Sequence, residues 1–215
     1  MTRVLSRRTL LVSGAGLAAL ATLAACSDEA PATTGSRPGG YAAGTEITST
    51  GWRLPTTELA DETGTVAPMN SHRGSAATIV FFGYTNCPDV CPGIMADLAS
   101  ALQRVDASVR EQVKVVIVTT DPARDTSEVL KAYLDRIDPE FIGLTGELSE
   151  IVTAAESIGL SIDEAQKLPS GGYEVTHSTQ VIGFGKDETA AVLWSTGTSV
   201  ADYVTDLTLL VDKQK

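Results

Sequence analysis

The apolar positions of this chain change period several times, and each change marks an element. Ala77–Phe82 (ATIVFF) and Val113–Thr119 (VKVVIVT) are nearly continuous apolar runs of strand length, rich in β-branched and aromatic residues. Such runs suit strands covered on both faces of a sheet. Thr179–Phe184 and Ala190–Trp194 flank Gly185-Lys186-Asp187-Glu188, which predicts a hairpin. Phe141–Leu144 predicts a further short strand. Between these runs the spacing turns helical. Pro92 to about Val105 puts Ile94, Leu98, Ala101, Leu102 and Val105 on one face. Asp125–Ile137 opens on an Asp125/Glu128 capping pattern and stops before Pro139. Glu147–Ile158 ends at Gly159, and Ser199–Val211 carries Val200, Tyr203, Val204, Leu207, Leu210 and Val211. Strands first joined by helices, then a hairpin and a last helix, predict an α/β domain with a mixed central sheet flanked by helices.

The first residues follow none of these periods. A basic start with Arg3, Arg7 and Arg8 leads into an apolar stretch from Leu10 to Ala25, interrupted by Gly14 and Gly16. This layout predicts a secretory signal over residues 1–25, in a run short for a bilayer-spanning helix. Ser6-Arg7-Arg8-Thr9-Leu10-Leu11 is similar to a twin-arginine export motif. Leu23-Ala24-Ala25-Cys26 is similar to a bacterial lipobox, which predicts that Cys26 is lipidated and becomes the mature N-terminus on the outer face of the cell membrane. Residues 26–45 are then the lipidated cysteine and a tether rich in Ser, Thr, Gly, Pro and Ala, too polar and small to bury a core. The folded domain is expected over residues 46–215.

Charge narrows the partners. The 215 residues carry a net charge of -11, and loss of residues 1–25 with their three arginines leaves -14. Phosphate binding needs clustered Lys and Arg, so nucleic acid is not an expected partner.

Candidate chemistry rests on few residues. The chain has 3 cysteines and 2 histidines. With Cys26 assigned to lipid, Cys87 and Cys91 remain, in Tyr84-Thr85-Asn86-Cys87-Pro88-Asp89-Val90-Cys91-Pro92. A buried strand runs into this loop, and Pro92 suits the first position of a helix. That puts Cys91 near the N-cap, where free N–H groups and the helix dipole are expected to lower a thiol pKa. A disulfide across so short a loop stabilises little, so the pair is expected to act chemically. Soft thiolates select Cu(I), zinc or iron–sulfur clusters. Structural zinc and iron–sulfur sites usually take four ligands, whereas two Cys and one His make a three-coordinate site that suits copper. Of the two histidines, His177 lies in a loop before the Thr179 strand that can approach the helix start, and His72 lies in a polar turn and is expected to be a plain surface residue. Asp121, Arg124 and Asp125 are expected to serve locally, with Asp125 as a helix cap and Arg124 in an ion pair; Asp89 is expected to be solvated.

These residues together resemble a known family. Phe81–Pro92 (FFGYTNCPDVCP) is similar to the signature of the Sco/SenC copper chaperones. Thr119–Thr126 (TTDPARDT), Leu144-Thr145-Gly146 and the Val175–Thr179 loop also match, in order, within about residues 45–212. The resemblance implies a thioredoxin-like fold and copper, Cu(I) or Cu(II), held by Cys87, Cys91 and His177. It further implies delivery of copper to the CuA subunit of cytochrome c oxidase, or reduction of that site's cysteines. Asn86 and Thr176 depart from the residues many members carry before the first Cys (His) and before the ligand His (Asp), and the second bears on what orients the imidazole. A thioredoxin-type thiol–disulfide oxidoreductase, needing Cys87 and Cys91 but not His177, is the alternative. A peroxiredoxin-like peroxidase fits the Pro88 and Cys91 setting poorly.

Overall fold

The longest strands are those with the most unbroken apolar runs, and they form the middle of a 6-stranded sheet. The structure is a computed structural model that describes residues 39–163, 166–167 and 173–215. The expected leader and Cys26 lie outside the described residues. In chain order the strands are β1 (Thr45–Glu46), β2 (Glu58–Ala60), β3 (Val66–Pro68), β4 (Ala77–Gly83), β5 (Val113–Thr119), β6 (Ile142–Leu144), β7 (Gln166–Lys167), β8 (Tyr173–Glu174), β9 (Val181–Phe184) and β10 (Ala190–Trp194). The helices are α1 (Val90–Leu102), α2 (Ala107–Arg110), α3 (Ser127–Leu134), α4 (Leu148–Glu156) and α5 (Val200–Asp212). The sheet order is β1-β10-β9-β4-β5-β6, with β4, β5 and β6 parallel and β9 and β10 antiparallel.

Side chains alternate across the sheet, and both faces are covered, which is why the central runs carry no polar period. Ile79, Phe81, Val115 and Ile117 face α1 and α5, against Leu98, Met95, Leu207 and Leu210. Val80, Phe82, Val116 and Val118 face the other way, against Ile151, Ala154 and Ala155 of α4 with Leu59 and Met69. Both faces thus bury side chains worth about 1.5–3 kcal/mol each on full burial. The predicted mixed α/β architecture is the one observed.

Three boundaries differ from expectation. Helix α1 begins at Val90, so Cys91 lies inside its first turn and Pro92 one residue further on, rather than Cys91 at the cap. Helix α3 is capped by Thr126, whose hydroxyl accepts from the Val129 N–H; Asp125 does not cap it. Asp125 has no exposed surface, because its carboxylate is taken up elsewhere. The fold also starts before residue 46. Tyr41 is 2% exposed, and the N–H groups of Ala42, Ala43 and Gly44 all donate to the carboxylate of Asp206 on α5. Residues 39–45 therefore pack on the domain, since a buried carboxylate supplies the acceptors that composition alone does not reveal.

Candidate metal centre

The candidate site lies beyond the C-terminal ends of the parallel strands β4 and β5, where α/β sheets commonly open a crevice. After Gly83 the chain makes a tight turn in which the Cys87 N–H donates to the Tyr84 carbonyl at 3.2 Å. The turn then enters α1 through Asp89, an exposed residue whose side chain caps nothing. Cys87 is half-buried and Cys91 is 0% exposed, and both are free thiols.

His177 arrives from the other side of the crevice. Its loop pairs with the segment that follows α4: the Asp163 N–H donates to the Thr176 carbonyl at 2.8 Å and the Ser178 N–H to the Ser161 carbonyl at 2.9 Å. His177 Nε2 lies 3.5 Å from Cys91 Sγ. Nδ1 lies 2.8 Å from the Ser178 carbonyl oxygen. A carbonyl only accepts, so Nδ1 carries the proton and the Nε2 lone pair faces the sulfur. The carbonyl of Ser178 thus supplies the contact that orients the imidazole. The rings of Tyr84 and Phe81 stand edge-on to the imidazole, with centroids 5.8 and 6.2 Å away.

Burial governs the protonation of both groups. Desolvation, followed by the Cys87 thiol against it, pushes the Cys91 thiol up from its ordinary value; backbone amide groups of Tyr84 and Cys91 pull the other way and lose. This overturns the expectation that the helix start lowers the Cys91 pKa. Placement inside the first turn brings complete burial, and desolvation outweighs the partial charge of the helix end. Burial likewise pushes His177 below 6.5, against a smaller opposite effect from the Ser178 carbonyl. His177 is therefore neutral at neutral pH and available as a ligand.

Cys87, Tyr84, Pro88, Thr176 and His177 line a shallow cleft of about 160 Å³. Cys87 and His177 thus share one crevice, while Cys91 has no exposed surface and meets the site through its 3.5 Å approach to His177 Nε2. Among the described residues no group of three or more His, Cys, Asp or Glu side chains is already set to hold a metal ion. The thiol of Cys91 instead rests against His177.

His72 sits in a 3-10 turn, Met69–His72, ahead of the N-terminal end of β4, whereas the cysteines follow its C-terminal end. It takes no part in the site. Arg124 pairs with Asp121, as expected. What the sequence pattern did not reveal is that Asp125 accepts from the Thr85 N–H at 2.9 Å, the Thr85 hydroxyl at 2.5 Å and the Thr119 hydroxyl at 2.7 Å. Arg124 also lies over the Tyr84 ring, 5.9 Å from its centroid. A lone acidic residue before a helix carries the same local signal whether it caps that helix or grips a distant loop.

Comparison with known proteins agrees with this architecture. A family model described as SCO1/SenC matches residues 55–212. A candidate copper-binding protein of Stutzerimonas stutzeri is 35% identical over 134 residues, 62% of this chain and 65% of that one. The crystal structure of Arabidopsis thaliana ScoI with copper bound is similar at a TM-score of 0.66 and 27% identity, over 76% of this chain and 99% of that one. The structure of Bradyrhizobium japonicum ScoI with copper bound gives 0.64 and 27%, over 73% and 98%. The chain spans between 30% and 65% of the length of the first curated relatives it matches. The fold is thioredoxin-like, as the sequence resemblance implies.

Proposed function

This chain belongs to the SCO1/SenC family, and on that premise we propose that it is a membrane-anchored, extracytoplasmic copper-binding protein that serves the CuA site of cytochrome c oxidase during its assembly. Cys87, Cys91 and His177 bind the copper. The observation that carries this reading is the approach of His177 Nε2 to Cys91 Sγ at 3.5 Å, with the imidazole proton held on the far nitrogen by Ser178. Two sulfurs and one neutral imidazole are a soft set that favours copper and leaves coordination room for a partner's ligand. The copper-bound ScoI structures of similar fold support the same cargo.

The unequal burial of the sulfurs orders the exchange. Cys87 stands half-buried at the mouth of the cleft, so a partner thiolate reaches it first. Cys91, with no exposed surface, is the last to let go. Binding requires that Cys91 give up its proton, so copper uptake releases acid.

Anchoring rests on the Leu23–Cys26 lipobox and the basic, apolar leader. Among the described residues no helix is long and apolar enough to cross a membrane. A lipid on Cys26 would hold the domain beside an oxidase in the same bilayer.

A thiol-reductant role is favoured by two free thiols carried at the same strand-to-helix turn, Cys87 half-buried and Cys91 behind it. Cys87 thiolate attacks a partner disulfide, Cys91 resolves the mixed disulfide, and the partner leaves as a dithiol while Cys87–Cys91 is oxidised. Two electrons and two protons pass to the partner in this exchange, which readies its cysteines for metal.

Copper stoichiometry and absorbance of the reduced full chain, beside His177→Ala, test the proposal. A single copper ion per chain with a thiolate-to-Cu(II) charge-transfer band, weakened in His177→Ala, is expected. Absence of tight copper binding together with rapid disulfide exchange would leave a thiol–disulfide oxidoreductase.

A further inference from the structure

We propose that Asp125 is a positioning residue for the copper site, fixing the turn that carries Cys87, and that this is the reason a carboxylate is buried there. The inference rests on the assignment of Cys87, Cys91 and His177 as the copper ligands.

Asp125 follows the C-terminal end of β5, which lies beside the C-terminal end of β4 in parallel register, Gly83 against Thr119. Its side chain reaches across to the neighbouring strand's exit. There it takes both the N–H and the hydroxyl of Thr85, the second residue of the Tyr84–Cys87 turn. Thr119 supplies a third hydrogen bond from the end of β5. Asp125 is itself held at its backbone: its N–H donates to the Asp121 carbonyl at 3.0 Å, and its carbonyl accepts from the Thr145 hydroxyl at 2.9 Å. The carboxylate therefore cannot follow the turn if the turn moves.

Arg124 works on the adjoining residue. Its guanidinium lies over the Tyr84 ring, and the same ring stands edge-on to the imidazole of His177. One dipeptide thus braces the residue that backs the imidazole and the residue that sets the Cys87 turn. Neither Arg124 nor Asp125 belongs to the proposed ligand set. Their effect runs through Tyr84 and Thr85, in the manner of partners that orient a metal ligand from behind. Two carboxylate oxygens are needed to accept from three donors. A carboxamide of the same shape offers one acceptor and turns an N–H₂ group toward a donor.

A purely structural bracket would also be buried and bonded, so the control is a second carboxylate of that kind. Asp206 is 0% exposed and accepts from Ala42, Ala43, Gly44 and Trp194. Asp125→Asn and Asp206→Asn of the full chain are compared with the unmodified chain in copper affinity, by competition with a chelator, and in the alkylation rate of Cys87 without metal. The expected result is a loss of about tenfold or more in copper affinity for Asp125→Asn, with an altered Cys87 alkylation rate and a displaced charge-transfer band. Asp206→Asn should stay near the unmodified chain in all of these while losing stability. Wild-type behaviour of Asp125→Asn in both assays, or equal losses in Asp206→Asn, would overturn the inference. If the unmodified chain binds no copper, the functional proposal fails and alkylation alone decides: a change confined to Asp125→Asn supports positioning, and none refutes it. If Asp125→Asn does not fold, Thr85→Val, which removes only the hydroxyl contact, takes its place with the same expected direction and the same refuting result.

Discussion

Replacing Asp206 with alanine removes an acceptor shared by three consecutive backbone amides. The carboxylate lies 2.5, 3.2 and 2.8 Å from the amide nitrogens of Ala42, Ala43 and Gly44, and 2.8 Å from Trp194 Nε1. Hydrogen bonds to a charged group are worth about 1.5–3 kcal/mol each, but the four cannot simply be added. The N-terminal arm has a cheaper escape: it can leave the surface, and water then satisfies its amides. The indole N–H has no such route, because Trp194 is 0% exposed, and its loss costs about 1–3 kcal/mol. Undocking also exposes the ring of Tyr41, a further cost of about 1.5–3 kcal/mol. Regained chain freedom offsets part of that, at about 1–2 kcal/mol per released residue. Over the three released residues that offset matches the burial lost, so the net expectation for Asp206→Ala is a loss of about 1–3 kcal/mol, that of the unpaired indole N–H, with the arm released. Urea unfolding gives the global value, and native-state hydrogen exchange at Ala42, Ala43 and Gly44 reports the arm. Those amides should exchange fast while the amides of β4 remain protected. Retained protection at all three, with a loss under about 1 kcal/mol, would refute the claim that Asp206 holds the arm.

The remaining predictions concern the site and its pH dependence. Copper ligation must displace a proton that Cys91 holds above its ordinary range, so apparent copper affinity should rise about tenfold per pH unit for that proton; a flat profile around neutrality would refute it. Without metal, the unfolded chain ionises Cys91 above 9.0 and the folded chain does not, so stability falls as pH rises past that value. Tyr203, driven up mainly by burial, and Tyr41, pushed up to about 12 by burial and then by Glu46, add to the fall above 10.0. His177 acts at the other end: its folded pKa is depressed, so the unfolded chain takes the proton first and stability falls as pH drops below 6.5. Urea midpoints across that range should therefore peak between the two windows, and a monotonic curve would contradict the assignment. At Gly83 an added Cβ would lie 2.6 Å from the Phe81 ring, which stands edge-on to His177. Gly83→Ala should cost about 1–3 kcal/mol and also perturb the copper spectrum; an unchanged urea midpoint would show that the ring yields freely.

How much of this was legible beforehand differs from element to element. The runs at Ala77 and Val113 announce buried strands because both faces of the sheet are covered, and the strands lie where the pattern puts them. The apolar stripes of α1, α4 and α5 are equally plain, since each packs a single face on the sheet. Strands of two or three residues, β1 to β3 among them, carry too few positions to show a period. At the site, Cys87 and Cys91 stand out through spacing and their place between strand and helix, and His177 through its loop. The roles of Asp125, Asp206 and Ser178 escape any such pattern. Asp125 bonds Thr85 across 40 positions and Asp206 bonds Gly44 across 162.

The sequence by itself determined the fold class, the four longer helices and the central strands, and with the family resemblance the three candidate ligands, because these depend on residue type and on motifs and neighbours a few positions away. Only the tertiary structure decided which nitrogen of His177 faces sulfur, that Cys91 is a buried and therefore reluctant acid, and that distant carboxylates clamp the Cys87 turn and the N-terminal arm. Those properties depend on desolvation and on partners supplied by other elements. Neither exists until the chain has folded.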